Sequence, residues 1–227
     1  MKEGSIKREI ESLIFAAQEQ ALRTNQIKAK IDQSQADDKC RMCGNANETI
    51  NHLTNECAKM AQKEYKRRHD LVGKKIHWEI CRKFGVEVSK KWYQHEPEAV
   101  VENEKSTILW DMNIQTDHII EARPPDMVGI DKGKNHCQII DFAVPYDSRV
   151  EQKELEKKEK YQDLARELKK IWNMKATVTP VVIGALGAIP KKLRKGLQDL
   201  GIETKIVELQ KSTIIHTDRI LRKVLEV

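Results

Sequence analysis

The hydrophobic pattern changes period along the chain, and the changes predict its elements. Ile6, Ile10, Leu13, Ile14, Ala17, Ala21 and Leu22 recur at helical spacing, which predicts helix over residues 1–33. A polar stretch, "DQSQADD" (32–38), follows and reads as a linker. Residues 58–93 regain a helical stripe through Leu71, Val72, Ile76, Ile80 and Phe84, ending near Gly85. "QHEPEAVVENEKS" (94–106) reads as a second polar linker. Short runs rich in β-branched and aromatic residues come next. They predict strands at 107–114, 118–122, 127–130 and 137–144. A long helix is expected over 148–172, a strand over 177–185, a helix from about Lys191 to Leu200, a strand over 204–209 and a closing helix over 213–225. Strands followed by helix, strand and helix indicate an α/β or α+β domain covering about 105–227.

The two runs around "DKGKN" read as a hairpin. With its turn centred between Gly133 and Lys134, Asp126 and Asp141 become direct cross-strand partners, their Cβ atoms about 5 Å apart. Val128, Ile130, Cys137 and Ile139 share their face, and Met127, Ile140, Phe142 and Val144 share the other, so both faces look buried. Two like charges there destabilise a sheet unless something positive lies between them. An oxygen-seeking divalent cation such as Mg²⁺ resolves the conflict. One solvated acid, with the other paired to a lysine, resolves it equally well.

Charge sharpens the picture. The net charge is +6, yet Ala58 to Tyr93 holds eleven Lys/Arg against four Asp/Glu, so the basic excess is concentrated in one segment. Such a segment is the footprint of a polyanion, or else a well-solvated helical surface. The longest apolar run, 178–190, is too short and too broken by Gly and Pro to span a bilayer, and the N-terminus has no signal-peptide core. Five cysteines, three of them clustered, point to a reduced compartment and a metal site rather than a disulfide framework. Cys40, Cys43, His52 and Cys57 offer three thiolates and an imidazole at spacings that suit tetrahedral Zn²⁺. Four protein ligands leave no open position, so this zinc would be structural. Cys81 and Cys137 read as core residues. Trp78, Trp92 and Trp110 read as packing residues, with base stacking the less favoured role.

On the helix predicted over 148–172, Tyr161, Leu164, Ala165, Leu168 and Trp172 form the apolar stripe. Lys157 falls near its middle and Lys160 at one edge. A lysine there either snorkels at a frayed first turn or reaches the two aspartates. Paired acids, a divalent metal and a lysine that orients water make up a constellation suited to phosphodiester hydrolysis.

"RPPD", an Asp fifteen residues on and a lysine-bearing helix behind them resemble the PD-(D/E)xK restriction-like nuclease signature. The order of parts is closer still to another pattern. A Cys-Cys-His-Cys knuckle, "KRRHDLV" (66–72), "PD", "DFAVPYDSRV" and "EKKEKYQDL" (156–164) resemble the C-terminal region of non-LTR retrotransposon polyproteins of the restriction-like-endonuclease type. "FAAQEQALRTNQIKAKID" (15–32) is similar to the segment after the polymerase in such proteins. The resemblance implies a helical connector at 1–35, a CCHC zinc knuckle at 36–60, a basic helical segment and linker at 61–104, and a PD-(D/E)xK endonuclease core at 105–227. It implies a metal-dependent nickase that cuts target DNA to prime reverse transcription, acting in the nucleus with no membrane partner. Its further partners would be element RNA and a reverse transcriptase domain from a longer chain; the only adjacent aspartates here, Asp37 and Asp38, lie in a polar linker rather than a polymerase motif.

By position, Asp126 and Asp141 match the family's Mg²⁺- or Mn²⁺-binding acids. Asp141 is followed by Phe142 and Ala143, so the usual "ExK" lysine is absent. The resemblance then implies that Lys157 and Lys160 supply it, with Tyr161 beside them. Arg68 and His69 match an "RH" element that contacts DNA or supports the scaffold. Lys66, Arg67, Lys74 and Lys75 complete the expected nucleic-acid surface. The alternative is a catalytically inactive nucleic-acid-binding module, a relic of such an element or one adopted by its host. A zinc-scaffolded protein-interaction domain is a weaker third reading, against which the concentrated positive charge argues.

Overall fold

The computed structural model describes residues 6–114, 124–202 and 205–226. The strand expected over 118–122 and Arg123 of "RPPD" lie outside the described residues. The protein is mixed α/β around a five-stranded sheet in the order β1-β2-β3-β4-β5. The strands are β1 (Val100–Glu102), β2 (Ser106–Trp110), β3 (Met127–Asp131), β4 (His136–Ala143) and β5 (Lys175–Val182). The first four form an antiparallel meander, and β5 joins β4 in parallel.

The β3–β4 hairpin pairs Met127 with Ile140, Val128 with Ile139 and Asp131 with His136. That register carries Asp126 and Asp141 to opposite positions just past the paired ladder. Both faces of the hairpin are buried. Met127, Ile140 and Phe142 pack with Val72, Ile76 and Ile80 of helix α4 (Lys66–Lys83). Val128, Cys137 and Ile139 pack with Tyr161, Leu164 and Leu168 on the other side.

Several predicted elements are corrected. The helix expected over 1–33 is two helices, α1 (Arg8–Gln18) and α2 (Asn25–Lys30). Gln20 takes a left-handed φ of 57°, which ends the first, and the Thr24 side chain caps the second. Between Cys57 and α4 lie a short α3 (Ala58–Met60) and a wide helical turn over Ala61–Tyr65. The polar linker at 94–106 contains β1, whose "VVE" pairs with β2 across a turn in which the Asn103 side chain accepts from the backbone N–H groups of Lys105 and Ser106.

The helix expected over 148–172 is two helices, α5 (Val150–Lys160) and α6 (Gln162–Ile171), broken at Tyr161. After α7 (Leu193–Asp199), the predicted strand at 204–209 is instead the start of α8 (Ile206–Leu225). The short run "KIVEL" fits a strand locally. However, Leu209, Thr213, Ile214, Thr217, Ile220, Leu221 and Val224 continue one buried helical stripe, and that longer register prevails.

α5 and α6 form the crossover that carries the chain from β4 to the parallel β5. α4 and α7 cover the opposite face. α1, the cysteine cluster and α8 share a further core made of Ile14, Ala17, Leu53, Met60, Ile214 and Leu221 among others. No described helix is long and apolar enough to cross a membrane.

Candidate metal centre and nucleic-acid groove

The cysteine cluster is assembled from two short turns. Gly44, with a φ of 69°, closes the first on Cys40 and Cys43, its N–H donating to the Cys40 carbonyl. A wide helical turn over His52–Glu56 supplies His52, and the extended Cys57 follows it. The four ligating atoms lie within 4.8 Å of one another. Cys40 Sγ and Cys57 Sγ are 3.9 Å apart, and Cys43 Sγ and His52 Nε2 are 3.3 Å apart. An ion at ordinary Zn–S and Zn–N distances sets these at ~3.8 and ~3.5 Å, so the set can hold zinc. Backbone N–H groups of Asn45 and Ala46 pull the Cys43 thiol down to about 6, whereas burial pushes Cys57 up to about 11. A buried thiol of the second kind gives up its proton readily only to a cation.

The turn is held by Glu48, which is fully buried. Its carboxylate accepts from the Arg41 guanidinium and from the backbone N–H groups of Arg41 and Asn25. Burial alone would raise the Glu48 pKa, but these donors hold it below the usual carboxylate range.

The second site begins at α4. Gly73 lets the helix approach the sheet so closely that a Cβ there would meet Trp110 and Phe142 below 3.0 Å. One turn earlier, this approach sets His69 over the end of β4. His69 Nε2 lies 3.2 Å from the Phe142 carbonyl oxygen and 3.3 Å from Asp126 Oδ2, and Nδ1 is 3.1 Å from Asp70. Asp126 Oδ2 also accepts from the Phe142 N–H at 2.6 Å. Burial works to lower the His69 pKa, but the hydrogen bonds and charges of Asp126 and Asp70 overcome it and raise it to about 10. Burial likewise works to raise the Asp126 pKa. The His69 ring, the Phe142 N–H and the charge of Lys157 outweigh it and hold the carboxyl below its usual range.

Asp141 is 2% exposed. Its Oδ1 accepts from the Tyr161 hydroxyl at 2.6 Å. Its Oδ2 is in ionic contact with the Lys157 ammonium but receives no well-directed hydrogen bond. Tyr161 sits at the break between α5 and α6, fully buried, and its hydroxyl accepts from Lys160 Nζ at 2.6 Å. Burial, and then the adjacent Asp141 carboxylate, hold its pKa well above the usual phenol range. Asp141, Lys157, Tyr161 and Lys160 are thus gathered in one linked cluster, and Asp126 enters the same region from the facing strand.

Asp126 opens into a groove of about 1060 Å³. Lys63, Lys66, Arg67, His69 and Lys74 line it, with Tyr93 and Trp110 on its walls. Two residues expected on this surface are corrected. Arg68 borders the groove but is only 1% exposed, and its guanidinium turns inward to donate to Thr217 Oγ1 at 2.9 Å and to the Thr54 carbonyl at 2.7 Å. Lys75 is 2% exposed, 2.6 Å from Glu208, with its ammonium over the rings of Trp78 and Trp92. Both charges are committed to internal partners, so neither is placed to meet a phosphate. The groove includes one lysine, Lys63, that was absent from the expected set.

The contact of His69 with Asp126 joins residues 57 positions apart, and no local sequence signal carries it. Cys81, read as an ordinary core residue, touches His77, which in turn touches His95. The i, i+4 spacing of His77 and Cys81 on a helix was a signal that could have found the first contact. No protein-family model matches this chain, and no curated protein matches it.

Proposed function

We propose that this chain is a metal-dependent DNA endonuclease, a nickase of the kind non-LTR retrotransposons use to prime reverse transcription, built on a restriction-like core. The observation that carries the reading is one juxtaposition. Two acids face each other across the hairpin, one in ionic contact with the half-buried Lys157 and the other opening into a groove lined by basic side chains. Asp141 Oδ2 faces the Lys157 ammonium, a contact that a hard cation would have to share or displace, and the Asp126 carboxyl on the facing strand is held below its usual pKa range. Asp126 and Asp141 would hold Mg²⁺ or Mn²⁺. When bound, that ion supplies positive charge at the phosphate and a water of lowered pKa.

The protein's own groups divide the remaining work. Lys63, Lys66, Arg67 and Lys74 hold the phosphate backbone along the groove. Tyr161 fixes the Asp141 carboxylate, and Lys160 fixes Tyr161. His69 keeps Asp126 charged and aimed through Phe142. Lys157, whose ammonium lies against Asp141, would stabilise charge developing on the phosphate. The cysteine cluster, packed on α1 and α8 through shared core residues, braces the wall from which the basic helix starts.

Nicking of supercoiled plasmid with Mg²⁺ or Mn²⁺ tests the reading, comparing the wild type with Asp126→Ala and Asp141→Ala. Metal-dependent nicking that both substitutions abolish supports it. Salt-sensitive DNA binding by a folded, zinc-loaded wild type that does not cut would leave the inactive binding module as the better description.

A further inference from the structure

We propose that His77, Cys81 and His95 form a second zinc site, independent of the cysteine cluster and of the acids at the groove. Among the described residues these three make up the one further cluster of closely spaced metal-ligating side chains, with their ligand atoms within 4.8 Å of one another. His77 and Cys81 lie one turn apart on α4 and so project from the same face. His95 arrives from the segment between α4 and β1, just after the helical turn Trp92–Gln94. All three are buried, at 0%, 0% and 8% exposure.

Hydrogen bonding within the trio does not satisfy it. His77 Nδ1 lies 2.7 Å from His95 Nε2 and 3.4 Å from Cys81 Sγ. One ring nitrogen has one in-plane proton or one lone pair, so it serves only one of these neighbours well. His77 Nε2 is buried with no hydrogen-bond partner. An ion among the three ligand atoms serves all of them. It would occupy Nδ1 and leave the proton on Nε2, on a ring that meets Trp110 edge-on at 5.5 Å between centroids.

One of the two distances agrees with that placement and the other needs a small adjustment. A tetrahedral zinc sets a sulfur and a nitrogen ~3.5 Å apart and two nitrogens ~3.3 Å apart. The first distance is already met. The second asks the His95 ring to withdraw by roughly 0.6 Å. Two imidazoles and a thiolate favour zinc over magnesium or calcium. The fourth position falls to water or to the exposed Glu98, three residues beyond His95, whose charge acts on both Cys81 and His95.

Such an ion would give the segment after α4 a role. Tyr93, Glu96 and Pro97 form a wall of the basic groove, and Glu96 pairs with Lys74 across it. Pinning His95 to α4 fixes that wall against the helix carrying His69.

The test is the zinc content of the purified full chain by elemental analysis, after gel filtration in chelator-free buffer. About two zinc ions per chain are expected. Cys81→Ser and His95→Asn should each lower this to about one, and Cys43→Ser should also leave about one. With cobalt substituted, Cys81→Ser should remove only part of the thiolate-to-metal absorbance, while Cys43→Ser removes a different part. One zinc per chain in the wild type overturns the proposal, as do two that survive both Cys81→Ser and His95→Asn. If a variant does not fold, the wild-type ratio alone decides. None of these readouts depends on DNA cleavage.

Discussion

Gly73→Ala offers a test in which two physical effects predict opposite signs. In a helix interior, alanine is about 1 kcal/mol more favourable than glycine, so propensity alone predicts stabilisation. The packing predicts the reverse. The new Cβ would lie 2.6 Å from Trp110 Cη2 and 2.8 Å and 2.9 Å from two Phe142 ring carbons. Ordinary contact begins near 3.4 Å, so helix and sheet must separate by roughly 0.8 Å or a ring must leave its place. Phe142 is fully buried and has nowhere to go. Overpacking of this kind costs about 1–3 kcal/mol, which leaves a net loss of about 1 kcal/mol after the gain in propensity. Urea unfolding should show a lower midpoint with an unchanged slope. Because the Phe142 N–H and carbonyl hold Asp126 and His69, the proposed nicking activity should fall by more than the stability loss explains. Trp110→Leu in the same background should restore part of the loss, read as a coupling energy in a double-mutant cycle. A midpoint that rises would refute the close approach of α4 to β4, and with it the account of how His69 is positioned.

Two further perturbations probe the buried polar groups. Tyr161→Phe keeps the ring that fills the core but removes the donor to Asp141 Oδ1. About 1–3 kcal/mol of stability should be lost in urea titration, and an unchanged midpoint would mean that the hydroxyl is not Asp141's partner. His216 is held neutral, chiefly by burial and then by Arg219, Arg67 and Arg68, with its pKa lowered to about 4. Above the unfolded value of ~6.5 it is neutral in both states and has no pH-dependent effect. As pH falls from there toward 4, the unfolded chain takes a proton that the folded one refuses, and stability drops. His216→Gln should remove about 1–2 kcal/mol of the loss between pH 7 and 4.5. Acid effects at every other group are common to both proteins, so their difference reads His216 alone, and parallel pH profiles would refute the assignment.

What was legible in the sequence followed from local rules. Turn chemistry was enough to place the β3–β4 register, because a short loop centred between Gly133 and Lys134 fixes which residues stand opposite one another. The spacing of Cys40, Cys43, His52 and Cys57 revealed a ligand set because the two turns that assemble it are short and local. Tertiary contacts decided what was missed. The apolar stripe runs on through Tyr161, so nothing periodic marks the break there; its backbone departs from helix where its hydroxyl reaches Asp141. β1 is short and largely exposed, and it is a strand because Val100, Val101 and Glu102 extend the β2 edge. Counting charges on α4 could not separate Lys66 and Arg67, which are exposed, from Arg68 and Lys75, which are buried against internal partners.

That last distinction bears on how the molecule is put together. Arg68 bridges the Thr54 carbonyl, inside the turn that carries His52, and Thr217 on α8, while its neighbour His69 reaches Phe142 at the end of β4. Burial lowers the Arg68 pKa to about 10, yet the guanidinium remains charged at neutral pH, and Tyr65 and Asp147 provide the field that tolerates it. Asp147 in turn accepts from the backbone N–H groups of Leu186 and Ala188, in the loop after β5. Adjacent residues of one helix therefore hold the cysteine cluster on one side and the acid-bearing hairpin on the other. A buried, singly placed cation of this kind fixes relative position more than it adds stability, since a hydrophobic replacement often does as well energetically. The position it fixes here is that of the basic groove relative to Asp126. Disturbance of the cysteine cluster should therefore reach the acids through Thr54, Arg68 and His69 as well as through loss of folding.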